Sequence, residues 1–275
     1  MPIVVTGLSH HSSPVELREQ FAFSEAQIAD ALGQVRTHGI ADESVILSTC
    51  NRVEIYAATK ADNPGLGKAL QQFLCNFHGI DPVPDDELYT HRDPHSVDHL
   101  FRVSCGIESM VLGETEILGQ LKQAYNPDHA EKATGALLNK TFQKAFHVAK
   151  LVRSETQIQR GSISVSSVAV ELAESIFDSL KSQQVLVIGA GDTSEKAARA
   201  LRSRGAQSIL VSNRSHDKAI ALAAELDGRA IGFDTWEEEF QHVDIIISST
   251  AAPHCMLTRD KLEGLLRERG HRPLL

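Results

Sequence analysis

The sequence predicts an α/β protein of two domains, the second built on a doubly wound parallel sheet. Three observations predict it. A length of 275 residues exceeds what one ordinary core needs. Short β-branched runs alternate with longer helical spacings, and the apolar run Val185-Leu186-Val187-Ile188 enters a Gly189-Ala190-Gly191 turn at the mouth of a helix. The last feature is Rossmann-like, and the domains are placed at 1–156 and 157–275.

Ile3 to Leu8 reads as a strand ending near His10 and His11, which are assigned structural roles. Ser24 with Gln27 forms a capping box, and Phe23 with Ile28 a hydrophobic staple, so a helix runs from Ser24 to His38 and stops at Gly39. Two strands follow, Ser44 to Cys50 and Val53 to Thr59, with Asn51-Arg52 as the tight junction. Asn63-Pro64 opens a helix that ends at His78-Gly79. Asp81 to Asp93, with Pro82 and Pro84, reads as a surface loop, and Asp93-Pro94 opens a helix carrying His99. Gly113 to Tyr125 has helical spacing and breaks before Pro127. A long helix then covers about Lys132 to Glu155, and the polar segment Gln157 to Ser167 is the linker. From Gln184 the pattern is strand, glycine turn, helix, strand, helix, strand, the alternation of a parallel sheet. Arg272-Pro273-Leu274-Leu275 begins an apolar strand, which suggests a C-terminally truncated chain.

Composition excludes several classes. With 27 Lys and Arg against 36 Asp and Glu, the net charge of -9 provides no global basic surface for DNA or RNA backbones, so any polynucleotide contact is local. Cys50, Cys75, Cys105 and Cys255 form no C-x-x-C pair, which favours reduced thiols and a cytoplasmic location. No leader-like start and no apolar run near about 18 residues is present, so a membrane role is not expected.

The clearest chemistry is Gly189-Ala190-Gly191-Asp192-Thr193-Ser194, a G-x-G-x-x-S turn whose backbone can approach a pyrophosphate at a helix N-terminus. The next strand, Ser208 to Ser212, ends in Asn213-Arg214-Ser215 where an NAD reader places an acid. A guanidinium suits a ribose 2′-phosphate, so NADPH is the expected cofactor. A third strand, Asp244 to Ser249, runs into Thr250-Ala251-Ala252-Pro253, small residues suited to a nicotinamide crevice. In the first domain, Thr49-Cys50-Asn51-Arg52 offers a nucleophile: a free thiol is slightly ionised at neutral pH, and the neighbouring arginine is expected to raise its thiolate fraction. Cys75, Cys105 and Cys255 read as core residues.

Thr6-Gly7-Leu8-Ser9-His10-His11, Ser48-Thr49-Cys50-Asn51-Arg52-Val53-Glu54-Ile55-Tyr56, Gly113-Glu114-Thr115-Glu116-Ile117-Leu118-Gly119-Gln120 and Gly189-Ala190-Gly191 together resemble the glutamyl-tRNA reductase family, across essentially the whole chain in order. The resemblance implies NADPH-dependent reduction of glutamyl-tRNA(Glu) to glutamate-1-semialdehyde through a thioester on Cys50, the first step toward tetrapyrroles. It further implies that Arg52 clamps the substrate carboxylate and that Thr49, Asn51, Ser109, Glu114, Thr115, Glu116 and Gln120 line the glutamyl pocket. His99 would assist proton transfer or polarise the carbonyl. The family's Gln stands here as Glu116, which leaves the pocket's polarity open. Family members also continue into a helical dimerisation domain, so the full-length protein would be a homodimer and this fragment monomeric. Two other readings stay open: a shikimate-dehydrogenase-like NADP enzyme that would not need Cys50, and a non-catalytic scaffold docking the aminotransferase that consumes the semialdehyde.

Overall fold

Strand β1 (Ile3–Ser9) is the centre of the first sheet, flanked antiparallel by β3 and β4 in the order β2-β3-β1-β4. The computed structural model describes residues 2–81, 86–126, 133–159, 164–250, 256–269 and 273–275, with only the backbone of Val165, Asp192 and Glu268. Pro82, Pro84, Pro127, Lys132, Ala251-Ala252-Pro253, Cys255 and Arg272 lie outside the described residues. The chain forms two compact units, Met1–Ile163 and Ser164–Leu275, so the divide falls seven residues beyond the 156/157 expected.

In the first unit, a short helix α1 (Val15–Gln20), absent from the sequence reading, precedes α2 (Glu25–Thr37). Gln27 caps α2 as expected, its Oε1 accepting from Ser24 N at 2.9 Å, and Gly39 follows at φ 67°. The hairpin β2 (Glu43–Ser48) and β3 (Arg52–Ala58) leads to α3 (Leu66–His78). That helix starts two residues later than Asn63-Pro64 suggests, because Asn63 Oδ1 accepts from Gly65 N in a local turn. The segment read as a loop contains β4 (Tyr89–Arg92), which pairs with Val4 to Gly7. Tyr89 and Thr90 favour a strand, but four residues beside the Pro82 and Pro84 segment are too short to show a period, and pairing with the central strand is what makes them one.

Helix α4 (His95–Ser104) carries His99, and α5 (Glu116–Tyr125) begins three residues after Gly113, whose φ of 79° keeps it outside the helix. The long α6 (Ala136–Glu155) completes the unit. Period-two alternation sends Val4 and Leu8 to a core with Phe21, Leu32 and Leu70 on one face of the sheet, and Ile3 and Val5 to a core with Leu100, Leu121 and Phe142 on the other. The sheet is therefore covered on both faces.

The second unit opens with α7 (Val165–Ile176), capped by Ser164, whose Oγ accepts from Ser167 N; helix thus occupies the end of the expected linker. Strand β5 (Gln184–Ile188), α8 (Asp192–Ser203), β6 (Ser208–Ser212), α9 (His216–Glu225), β7 (Arg229–Ile231), β8 (Ile245–Ser248) and α10 (Arg259–Arg269) follow. All strands are parallel in the order β7-β6-β5-β8. The strand expected third in this domain is its fourth, since the three-residue β7 is too short to show a period. Val185 and Val187 face α7, α8 and α9, while Leu186 and Ile188 face Trp236, Phe240 and α10. At the chain end Leu275 pairs with β8, its N–H reaching Asp244 O at 3.0 Å and its carbonyl accepting from Ile246 at 2.8 Å.

Candidate active site

Cys50 sits at the tip of the β2–β3 hairpin, in a two-residue loop with Asn51. Thr49 N donates to Arg52 O at 2.8 Å, and Thr49 Oγ1 accepts from Asn51 N at 3.2 Å and Arg52 N at 3.1 Å. The junction is thus Cys50-Asn51, one residue earlier than expected, and Arg52 already belongs to β3. His10 N donates to Asn51 O at 2.9 Å, and Arg18 Nε to Cys50 O at 3.3 Å, so two neighbouring segments hold the loop. Cys50 is exposed, whereas Cys75 and Cys105 are buried.

The expectation that Arg52 ionises this thiol is overturned. Packing around Cys50, then the Glu114 carboxylate, push the thiol above its ordinary value, and the opposing cation is Arg18. Arg52 is instead engaged by Glu54, because alternation along β3 places Arg52, Glu54 and Tyr56 on one face, inside the sheet-helix interface.

There they form a buried network. Arg52 Nη1 donates to Glu54 Oε1 at 2.6 Å, Arg52 Nη2 donates to the Glu108 carbonyl, and Tyr56 OH donates to Glu54 Oε2 at 2.5 Å. His99 Nε2 lies 2.8 Å from Glu54 Oε1, and Tyr89 OH donates to the same oxygen. Glu54 and Tyr89 flank Gly7 on the two neighbouring strands, and with no side chain between them they meet. Burial alone would raise the Glu54 carboxyl, but Arg52, His99 and Tyr56 hold it well below the usual range. Burial equally opposes charge on Arg52, and Glu54 overrides it. Both residues are therefore ionised at neutral pH.

His99 also lines an open cleft of about 430 Å³ with Ser9, His11, Tyr89, His91 and Arg102. His11, given a structural role from sequence, faces this cleft and lies 3.5 Å from Glu108. Burial, and then the neighbouring His99, lower the His91 pKa, which favours its neutral imidazole. Ser109 is buried and its Oγ has no hydrogen-bond partner among the described residues, an acceptor and donor left open. Glu114 is half-buried, its carbonyl accepting from Arg153 Nη2 at 3.0 Å, and Thr115 and Glu116 are exposed at the start of α5. Gln120 lines a different cavity of about 190 Å³ with Ser48, Phe23 and Glu25, not the cleft of His99. Glu54, Tyr89, His91, Glu108 and Arg18 were missed from sequence. Glu54 alone had a signal, its i, i+2 spacing from Arg52 along a strand.

In the second unit, Gly189 has φ 98°, and a Cβ there would meet Ser249 O at 2.2 Å, so β5 and the β8 end close on it. Gly191 caps α8, and a Cβ on it would meet nothing within 4 Å. That open space over a helix N-terminus fits a phosphate. Ser194 is buried, its Oγ donating to Ser249 O at 3.2 Å, while Thr193 is exposed. Asn213 acts as a latch: its Oδ1 accepts from Ala190 N at 3.2 Å and its Nδ2 donates to Ser215 O at 3.0 Å. Arg214 and Ser215 are exposed, and Arg214 has no ion-pair partner among the described residues. Among those residues no group of three or more His, Cys, Asp or Glu side chains is arranged to hold a metal, and no helix is long and apolar enough to cross a membrane.

Residues 6–156 match the model of the glutamyl-tRNAGlu reductase N-terminal domain, and residues 171–275 match that of shikimate/quinate 5-dehydrogenase. A glutamyl-tRNA reductase of Akkermansia muciniphila is 44% identical over the whole chain, which covers 80% of that protein. One of Pseudoalteromonas translucida is 41% identical over the whole chain, which covers 65% of it. Among solved structures, glutamyl-tRNA reductase from Methanopyrus kandleri aligns with 98% of this chain at 36% identity and a TM-score of 0.54, and the chain spans 64% of it.

Proposed function

The chain belongs to the glutamyl-tRNA reductase family, and on that premise we propose that it reduces glutamyl-tRNA(Glu) to glutamate-1-semialdehyde with NADPH, releasing tRNA. The first unit would carry the acyl chemistry and the second the nucleotide. The observation that carries the reading is Cys50, an exposed thiol at a hairpin tip pinned from two sides.

The Cys50 thiol loses its proton, its sulfur bonds to the ester carbonyl carbon, and the bond from that carbon to the tRNA 3′ oxygen breaks. The tRNA oxygen takes up a proton and leaves, and the glutamyl group remains as a thioester. Because a thiolate is intrinsically nucleophilic, the small ionised fraction of a raised thiol still suffices for capture. His99, held by Glu54, would move a proton at the carbonyl oxygen. The Ser109 hydroxyl supplies a further polar contact for the glutamyl group. Arg52 is engaged with Glu54 and the Glu108 carbonyl, so gripping a substrate carboxylate requires it to share its fork with Glu54. Thr49 keeps the loop closed, its Oγ1 accepting from Asn51 N and Arg52 N, and would present this loop to the glutamyl group. Glu114, Thr115 and Glu116 would form the acidic side of the pocket, where the substrate α-ammonium is accommodated.

Gly189, Ala190, Gly191, Asp192, Thr193 and Ser194 would hold the pyrophosphate turn, and Arg214 with Asn213 and Ser215 the ribose end, with the free Arg214 guanidinium favouring a 2′-phosphate. NADPH, when bound, supplies the hydride. A full-length homodimer and delivery of the aldehyde to an aminotransferase belong to the same proposal, as does a cytoplasmic location.

The test is glutamyl-tRNA labelled on glutamate, mixed with the protein without NADPH and acid-quenched, beside Cys50→Ser. Hydroxylamine-labile label on the native protein and none on the variant is expected. A variant that still turns over would overturn the reading and favour a dehydrogenase independent of Cys50.

A further inference from the structure

Two arginines lie next to the nucleophile, and only one has its charge free. Arg52 is paired with Glu54. Arg18, on α1, is 9% exposed and has no carboxylate partner among the described residues. Its hydrogen bonds go to carbonyls: Nη1 to Ser13 O at 2.5 Å and Nε to the carbonyl of Cys50 itself at 3.3 Å. A guanidinium taken out of water without a counter-ion is costly. An anion forming beside it would offset part of that cost.

We propose that Arg18 is a positioning residue for Cys50: it ties the hairpin tip to α1 and is the cation that compensates the charge on the sulfur when the thiol ionises. The proposal rests on reading Cys50 as the nucleophile. The thiol proton leaves to solvent base, and Arg18 takes no part in that transfer. The surroundings make such a cation necessary. Burial and the carboxylates of Glu114 and Glu116 all disfavour the thiolate, and Arg18 is the side-chain charge that works against them. The same cation also disfavours protonation of the neighbouring His10, after burial and the larger effects of His11 and Arg52. One arginine thus holds the loop and biases its electrostatics.

The experiment follows Cys50 alkylation by iodoacetamide against pH, read by peptide mass mapping. The sulfur attacks the methylene carbon and iodide leaves, so the rate reports the thiolate fraction without tRNA or NADPH. Arg18→Met is expected to move the midpoint up by about one pH unit, roughly a tenfold lower rate at pH 7. Arg18→Lys, which keeps the charge but not the fork, is expected to leave the midpoint in place while slowing acyl transfer from glutamyl-tRNA. Arg36→Met, on the exposed part of α2, is the control. A folded Arg18→Met protein with the native midpoint overturns the proposal. If that variant fails to fold, Arg18→Lys decides, because a tenfold loss despite the retained charge overturns it as well. Acyl-enzyme formation measured beside it separates the two readings: a shifted midpoint without any acyl-enzyme would reject the nucleophile role and leave the electrostatic one standing.

Discussion

Arg52 and Glu54 form a 2.6 Å ion pair with side chains 2% and 0% exposed, two residues apart on one strand. Strand alternation aims both at the same face, and the helices above close over them. A pair so deeply buried contributes mainly by not being broken: removing one partner leaves an uncompensated charge.

Glu54→Gln is therefore expected to destabilise the first unit by about 3–5 kcal/mol at pH 7, read from urea unfolding. The folded Glu54 carboxyl titrates below the unfolded one. Its contribution is complete above the unfolded value near pH ~4.3 and is lost as the pH falls from there through the folded pKa. The gap between native and variant stability should narrow with acid; a gap constant from pH 7 to pH 3 would contradict the linkage.

His99→Asn removes the imidazole that bonds Glu54 at 2.8 Å and opens onto the cleft. Turnover is expected to fall by about 10²-fold or more, the usual scale of a general acid–base group, with unfolding little changed relative to Glu54→Gln. Equal losses of stability in both variants would make His99 a packing residue.

Gly189 and Gly191 should respond oppositely to alanine. At Gly189 the new methyl group meets Ser249 O at 2.2 Å on a backbone of φ 98°, so thermal stability of the second unit should drop by about 2–4 kcal/mol. At Gly191 it meets nothing within 4 Å. Gly191→Ala should keep the fold and weaken NADPH binding, measured by fluorescence titration; unchanged binding would move the phosphate site elsewhere.

Arg214→Ala should weaken NADPH by roughly tenfold to a hundredfold, the scale of one charged hydrogen-bonding contact, and leave NADH affinity unchanged. An equal loss for both nucleotides would place Arg214 away from the 2′-phosphate.

Much of the fold was readable because its signals are local. Alternation in Ile3 to Leu8, the Ser24–Gln27 cap and the Val185–Ile188 run into glycine each describe contacts within a few residues, and the first is β1, the second the start of α2, the third β5 and its turn. Cys50 and His99 were singled out by motif likeness, and Gly189 and Gly191 by their place after a strand. What the sequence by itself determined was therefore most of the elements, though not α1, β4 or β7, together with the parallel second sheet and the residue types available for chemistry. Only the tertiary structure decided which charges are free. Arg18 and Arg52 are alike in sequence, but one meets a carboxylate in the sheet-helix interface and the other meets carbonyls beside Cys50. β4 became a strand, and Tyr89 a partner of Glu54, by pairing with β1 across Gly7. Such pairings join residues dozens of positions apart, and a linear pattern with period two or 3.6 carries no information about them.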